Sequence, residues 1–317
     1  MWLEILLLIV GFALLIKGAD FFVDGASALA DRLAVSQIVI GLTIVAFGTS
    51  TPELVINIFA AISGKTDISL GNIIGSNIVN ILLILGIASL IRPLQTQKNT
   101  VWREIPFALL GVIVLLAMCN DMIFDHLNNL LSRSDAIVLL LFFIIFITYS
   151  FAISKIEFRD EPEIKRLSGK LILLYLVLGI TGLIVGGQLA VTNAATLAKA
   201  WGLTDKFIGL TIIAIGTSLP ELVTSAVAAF KNKSDIAIGN IIGSNIFNIF
   251  FILGITAVIN PLPFPVIMNM DLGILLLASI LLFLTMFTGK KRILDRWEAI
   301  VFLTLYAGYT GYLIIRN

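Results

Sequence analysis

Charge is scarce in this chain. Asp, Glu, Lys and Arg make up 13% of its 317 residues, against about 25% in an average soluble protein. Cysteine and histidine are scarcer still, with one of each, Cys119 and His126. A lone cysteine excludes an intrachain disulfide and any cysteine-based metal cluster. Cys119 sits near the end of an apolar run and reads as a small buried apolar residue. A lone histidine, placed in a short polar loop, excludes a histidine-rich metal centre and a Ser–His hydrolytic set, so no enzyme and no cofactor are expected. The net charge of +1 points to no charged partner, and the basic loops carry no nucleic-acid signal. The first apolar run lacks a preceding basic segment and a following small-residue cleavage site. It reads as a retained helix, not a signal peptide.

Apolar sequence is what the chain has in abundance: 59% hydrophobic residues and a mean hydropathy of +1.06. Such a chain is an all-α polytopic membrane protein, because only helices satisfy their own backbone in lipid without closing a barrel. About ten spans are expected, near residues 2–24, 35–63, 69–91, 104–120, 134–153, 170–198, 206–230, 237–259, 270–288 and 296–314. With the N-terminus outside, the inside loops collect most of the Lys and Arg, among them Arg92, Lys98, Arg103, Lys165, Arg166 and Lys290 to Arg292. The positive-inside rule then places both termini outside.

The chain also repeats itself. Residues 41–53 read GLTIVAFGTSTPE and residues 209–221 read GLTIIAIGTSLPE, identical at ten of thirteen positions. Residues 71–83 (GNIIGSNIVNILL) and 239–251 (GNIIGSNIFNIFF) match equally well at the same offset of 168. Pro93-Leu94 recurs as Pro261-Leu262. The polar stretch between the copies marks a cytoplasmic linker at 155–169, which leaves five spans in 1–154 and five in 170–317. An odd number of crossings turns the second copy upside down, and inverted repeats place a binding site near the midplane where interrupted helices meet.

The repeated strings carry the chemistry. Glu53 and Glu221 lie inside apolar spans, where a carboxylate costs roughly 2.5–3.5 kcal/mol on insertion scales. No intramembrane Lys or Arg is placed to pair with them. Lys17 lies near a helix end and snorkels, with Asp20 and Asp24 as its interfacial neighbours. Pro52 and Pro220 have no N–H to offer the carbonyl four residues back, which frees Gly48 and Gly216. Thr49, Ser50 and Glu53 project to one side of a helix, as do Thr217, Ser218 and Glu221. Asn72, Ser76 and Asn80, spaced by four, form a polar stripe, repeated as Asn240, Ser244 and Asn248. All these groups are oxygen donors, without thiolate or imidazole, and suit a hard cation such as Ca2+, which takes roughly 6–8 oxygens. Gly71, Gly75, Gly239 and Gly243 form GxxxG pairs suited to close helix packing, and Asn77 and Asn245 fit packing and function equally.

Paired G-T-S-x-P-E and G-N-x-x-G-S-N motifs in a five-plus-five arrangement resemble the sodium/calcium exchangers of the calcium/cation antiporter superfamily, over essentially the whole chain. The arrangement is similar to that of bacterial inner-membrane calcium/sodium antiporters, and this implies a multi-pass protein of the cell membrane. The resemblance makes Glu53 and Glu221 the central carboxylates shared by Ca2+ and Na+. It assigns hydroxyl or carbonyl oxygens to Thr49, Ser50, Thr217 and Ser218, and backbone carbonyls to Ala46 and Ala214. Ser76, Ser244, Asn80 and Asn248 complete the cluster. Asn248 departs from the Asp that potassium-dependent relatives carry there, which argues against potassium dependence. The implied function is exchange of Ca2+ for Na+ by alternating access, with H+ as a competitor and no obligate protein partner. A proton-coupled Ca2+ antiporter uses the same glutamates and is the first rival. A cation channel is the second, disfavoured because the polar residues gather at one depth.

Overall fold

The computed structural model describes residues 1–124, 128–154, 167–203 and 214–316. His126 and nearly all of the predicted linker lie outside the described residues. Among the described residues, eight helices are long and apolar enough to cross a membrane. They are α1 (Trp2–Leu33), α4 (Ile68–Ile91), α5 (Thr100–Met118), α6 (Arg133–Ala152), α7 (Gly169–Ala200), α9 (Ser234–Ile259), α10 (Val266–Thr285) and α11 (Arg296–Arg316). A broken pair, α2 (Gln37–Thr49) and α3 (Thr51–Ile62), bent by 48°, passes the same test when its two helices are taken together. Of the crossing expected at 206–230, the described part is a turn at Ala214–Gly216 and the helix α8 (Leu219–Phe230). Helix α1 runs nine residues past its predicted end at 24, because Asp31, Arg32 and their neighbours continue the helix beyond the apolar run that hydropathy detects.

Burial sorts these helices into an inner and an outer set. In α4 and α9, 78% and 83% of the most apolar window is buried inside the protein, against 28% in α1 and in α7. The two helices with the Asn–Ser–Asn stripe are therefore central, because their polar side chains find partners only away from lipid. Helices α2, α3 and α8 pack around them. Cys119 is buried at the end of α5. A Cβ on Gly239 or Gly243 would lie within 2.9 Å of Gly41 or Leu42 backbone, so this GxxxG pair packs α9 directly on α2.

Helices α1 and α7 pack antiparallel, backbone against backbone. A Cβ on Gly11 would meet Ala190 N at 2.7 Å, and one on Gly18 would meet Leu183 N at 2.8 Å. Gly179 closes on Phe22 at 2.6 Å and Gly186 on Leu15 N at 2.7 Å. Each helix thus supplies two glycines at the same offset of 168, and their crossing runs in opposite chain directions, as an inverted repeat requires. Two short antiparallel strand pairs tie the loops. Leu94–Gln95 pairs with Ile293–Leu294, and Leu130–Leu131 pairs with Leu262–Pro263. Each pair joins one half of the chain to the other.

Candidate ion-binding site

Both motif helices break at the serine. Ser50 has φ −82° and ψ 8°, and Ser218 has φ −90° and ψ 9°. The cause is the proline two residues on, which cannot donate to the preceding turn and instead starts a new helix at its first positions. Glu53 and Glu221 then fall in the first turns of α3 and α8, where the unpaired N–H groups and the helix dipole favour negative charge. Each glutamate is only 1% exposed.

The two halves satisfy each other. Ser50 Oγ donates to Glu221 Oε1 at 3.0 Å, and Ser218 Oγ donates to Glu53 Oε1 at 3.5 Å. Thr49 Oγ1 donates to Asn240 Oδ1 at 2.9 Å, while Asn240 Nδ2 donates to Ser225 Oγ at 3.0 Å and to the Glu221 carbonyl at 3.4 Å. Thr217 lies beside the Glu53 carboxylate. The Ala46 carbonyl accepts from Ser50 N at 3.0 Å and from Thr49 Oγ1 at 3.3 Å. Ala214 opens the short turn whose Ile215 carbonyl accepts from Ser218 N at 3.1 Å. Among the described residues no Lys or Arg forms an ion pair with either glutamate. Asp20 and Asp24, expected beside Lys17, instead hold Lys231 at the end of α8. Their carboxylates point to α8, which a one-dimensional reading of α1 cannot see.

The asparagines form a second reciprocal set. Asn80 Nδ2 donates to Asn245 Oδ1, and Asn248 Nδ2 to Asn77 Oδ1, both at 2.9 Å. Asn77 Nδ2 in turn donates to the Asn245 backbone carbonyl at 3.4 Å. That backbone acceptor fixes which way Asn77 faces, and hence which way Asn248 faces: nitrogen toward Asn77, oxygen toward the interior. Asn77 and Asn245, undecided in sequence, are thus orienting residues. Asn80 and Asn248 are each the second residue of a π-helical turn, Val79–Ile84 and Phe247–Ile252. Such turns aim side chains off the regular helical track and recur at functional sites. Helix α8 packs on the turn that carries Asn80, and α3 on the turn that carries Asn248. Ser76 and Ser244 are buried one turn earlier.

These bonds leave a specific remainder. Glu53 Oε2, Glu221 Oε2, Asn80 Oδ1, Asn248 Oδ1, Thr217 Oγ1 and Ser244 Oγ are buried and have no hydrogen-bond partner. Unpaired buried polar atoms are costly and uncommon. These six are oxygens, and the carboxylates and amides come in pairs related by the repeat; of the first stripe, Asn72 Nδ2 is unpaired as well. Asn57, four residues after Glu53, was not singled out in sequence. Its Nδ2 donates to the Glu53 carbonyl at 2.7 Å and its Oδ1 is also unpaired. The polar face of α3 continuing at a spacing of four was the available signal.

Comparison with known proteins identifies the family. A family described as "Sodium/calcium exchanger protein" matches residues 3–152 and 171–315. The chain is 38% identical to the inner membrane protein YrbG of Escherichia coli, over 89% of this chain and 88% of that one. It is 32% identical to the sodium/calcium exchanger MaX1 of Methanosarcina acetivorans, over 96% of each chain. A solved structure of the sodium-calcium exchanger NCX_Mj, soaked with zero Na+ and Ca2+, superposes with a TM-score of 0.84 at 35% identity, covering 98% of this chain and 99% of that one. With matches of this identity along its whole length, the chain belongs to the sodium/calcium exchanger family.

Proposed function

We propose that the chain exchanges Ca2+ for Na+ across the cell membrane by alternating access, through one midplane site between Glu53 and Glu221. The observation that carries this reading is the set of buried oxygens without partners, on side chains that reciprocal hydrogen bonds between the two halves hold in place. Carboxylate, amide and hydroxyl oxygens in a water-poor interior suit a hard cation. Glu53, Glu221, Asn80, Asn248, Thr217 and Ser244 supply these oxygens directly. Ser50, Ser218 and Thr49 position the carboxylates and their surroundings, with Ser76, Ala46 and Ala214 lining the same turns.

Charge explains the exchange. Two carboxylates balance one Ca2+ or two Na+, whereas the empty site holds two like charges in a low dielectric. An empty carrier therefore resists crossing, and loaded ones cross. The two inverted units, 1–154 and 170–317, supply the two access states, with the linker and the basic loops on the cytoplasmic side and both termini outside. Similarity to a named inner membrane protein of a bacterium supports that location.

Uptake of ⁴⁵Ca2+ into proteoliposomes loaded with Na+, with pH clamped, tests the reading. Uptake that needs internal Na+ supports it, and uptake that follows a proton gradient and ignores Na+ would replace it with proton coupling. A subtler result is expected for Asn77→Leu. Without its acceptor, Asn248 loses the bond that aims its oxygen inward, a loss of about 1–3 kcal/mol. The Ca2+ concentration for half-maximal uptake should rise about tenfold, since about 1.4 kcal/mol is a factor of ten. An unchanged value would make the asparagine pairs packing only.

A further inference from the structure

The repeat is symmetric at the ion site and asymmetric at its edge. Lys231, just past α8, sits 2.5 Å from an Asp20 carboxylate oxygen and 2.7 Å from Asp24 Oδ1, and it donates to the Asp20 carbonyl at 3.3 Å. Both aspartates are on α1, so the cluster ties α1 to α8. The positions matched by the offset of 168 are Ser63, Gln188 and Thr192. None is charged, and Gln188 Nε2 donates to Thr192 Oγ1 on its own helix at 3.1 Å. Packing shows the same asymmetry. Helix α1 packs along α8, whereas the matched helices α7 and α3 scarcely meet. Contact between α1 and α8 is incomplete elsewhere. An apolar groove of about 450 Å³ opens beside them, lined by Phe12, Ile16, Leu222, Val223, Val227 and Phe230 among others.

We infer that Lys231, Asp20 and Asp24 form an ionic latch that holds α1 against α8, closing the site at that end and favouring the state open at the opposite end. The inference rests on the alternating-access reading above, whose orientation makes the latched end cytoplasmic. Helices α1 and α7 are locked together through their glycines, so they shift as a pair. Movement of α7 onto α3 draws α1 away from α8 and pulls Lys231 out of its two carboxylates. No equivalent ion pairs form at Ser63, Gln188 and Thr192, so the two states are unequal in energy. Lys231, Asp20 and Asp24 are positioning residues: they touch no ion and set which side the site faces.

The test reads the end remote from the latch. Spin labels at Phe59 on α3 and Thr196 on α7, both exposed, are placed in a Cys119→Ala chain in liposomes without Na+ or Ca2+. Pulsed electron–electron resonance then gives the distribution of distances between them. The parent should be mostly long. Lys231→Gln should move the balance of long to short by about three- to tenfold, the amount two partly exposed ion pairs supply. Asp20→Asn with Asp24→Asn should do the same, and Lys231→Arg should keep the parent distribution. Unchanged distributions in both neutralised variants would overturn the latch, as would an equal shift in Lys231→Arg. Failure of Na+-driven uptake by the wild type would instead overturn the transport reading, since the distance measurement needs no transport.

Discussion

Glu53→Gln should lower Na+-driven Ca2+ uptake at least about a hundredfold, and Glu221→Gln should do so equally from the other half of the chain. Glutamine has the same shape and still offers an oxygen to Ser218 or Ser50, so the local hydrogen bonds survive. What changes is charge and donor count. One carboxylate cannot neutralise a divalent ion, and the new amide brings two N–H donors into a space ringed by unpaired oxygens. A hundredfold loss corresponds to about 2.7 kcal/mol. Two unit charges 4 Å apart are worth about 4 kcal/mol at an effective dielectric of 20, so one lost carboxylate covers that amount. The variant should remain folded, because it removes a buried charge that the apo protein carries at a cost. Initial uptake rates, set against thermal melting of the purified protein, check both halves of the statement. Near-normal uptake in either variant would remove that glutamate from the site.

The second large effect is steric. Gly186→Ala should cost about 3 kcal/mol or more and abolish uptake, while its neighbour Gly187→Ala should be close to neutral. A Cβ at position 186 would stand 2.7 Å from Leu15 N and 2.8 Å from the Gly11 carbonyl oxygen. Both are backbone atoms of α1, which no rotamer change relieves. Overpacking of this kind costs about 1–3 kcal/mol where side chains yield, and more where they do not. At position 187 the nearest atoms are side-chain carbons, Leu15 Cδ2 at 3.9 Å and Pro220 Cγ at 4.0 Å, ordinary contact distances. There the gain of helix propensity, up to about 1 kcal/mol, offsets what little crowding occurs. Melting temperature and uptake of the two variants side by side decide the matter. Equal behaviour would mean that α1 and α7 separate freely.

The broad architecture was legible because its causes are written along the chain. Hydropathy located eight of the ten expected spans as long apolar helices among the described residues, and the offset of 168 exposed the duplication and paired Glu53 with Glu221. Pro52 and Pro220 announced the breaks, since proline acts on its own preceding turn. What sequence did not reveal depends on contacts between distant positions. Asn77 fitted packing and function equally until Asn248 was found against it, 171 positions away. Asp20 and Asp24 were assigned to Lys17 because it is near in sequence, whereas Lys231 is near in space. The π-helical turns at Val79 and Phe247 also had no signature, because nothing in their apolar residues distinguishes them from an ordinary helix.

The reciprocal bonds between the halves carry a consequence for how the sequence is free to change. Glu53 is positioned by Ser218 and Glu221 by Ser50, while Asn80 leans on Asn245 and Asn248 on Asn77. Neither half therefore owns a finished cage. A single half, made alone, would complete one only by meeting a second copy inserted the other way up. Fusing the two into one chain fixes that meeting permanently and lets the copies diverge at their edges. At the centre they remain mutually bound: a substitution in either half is judged by the residues of the other.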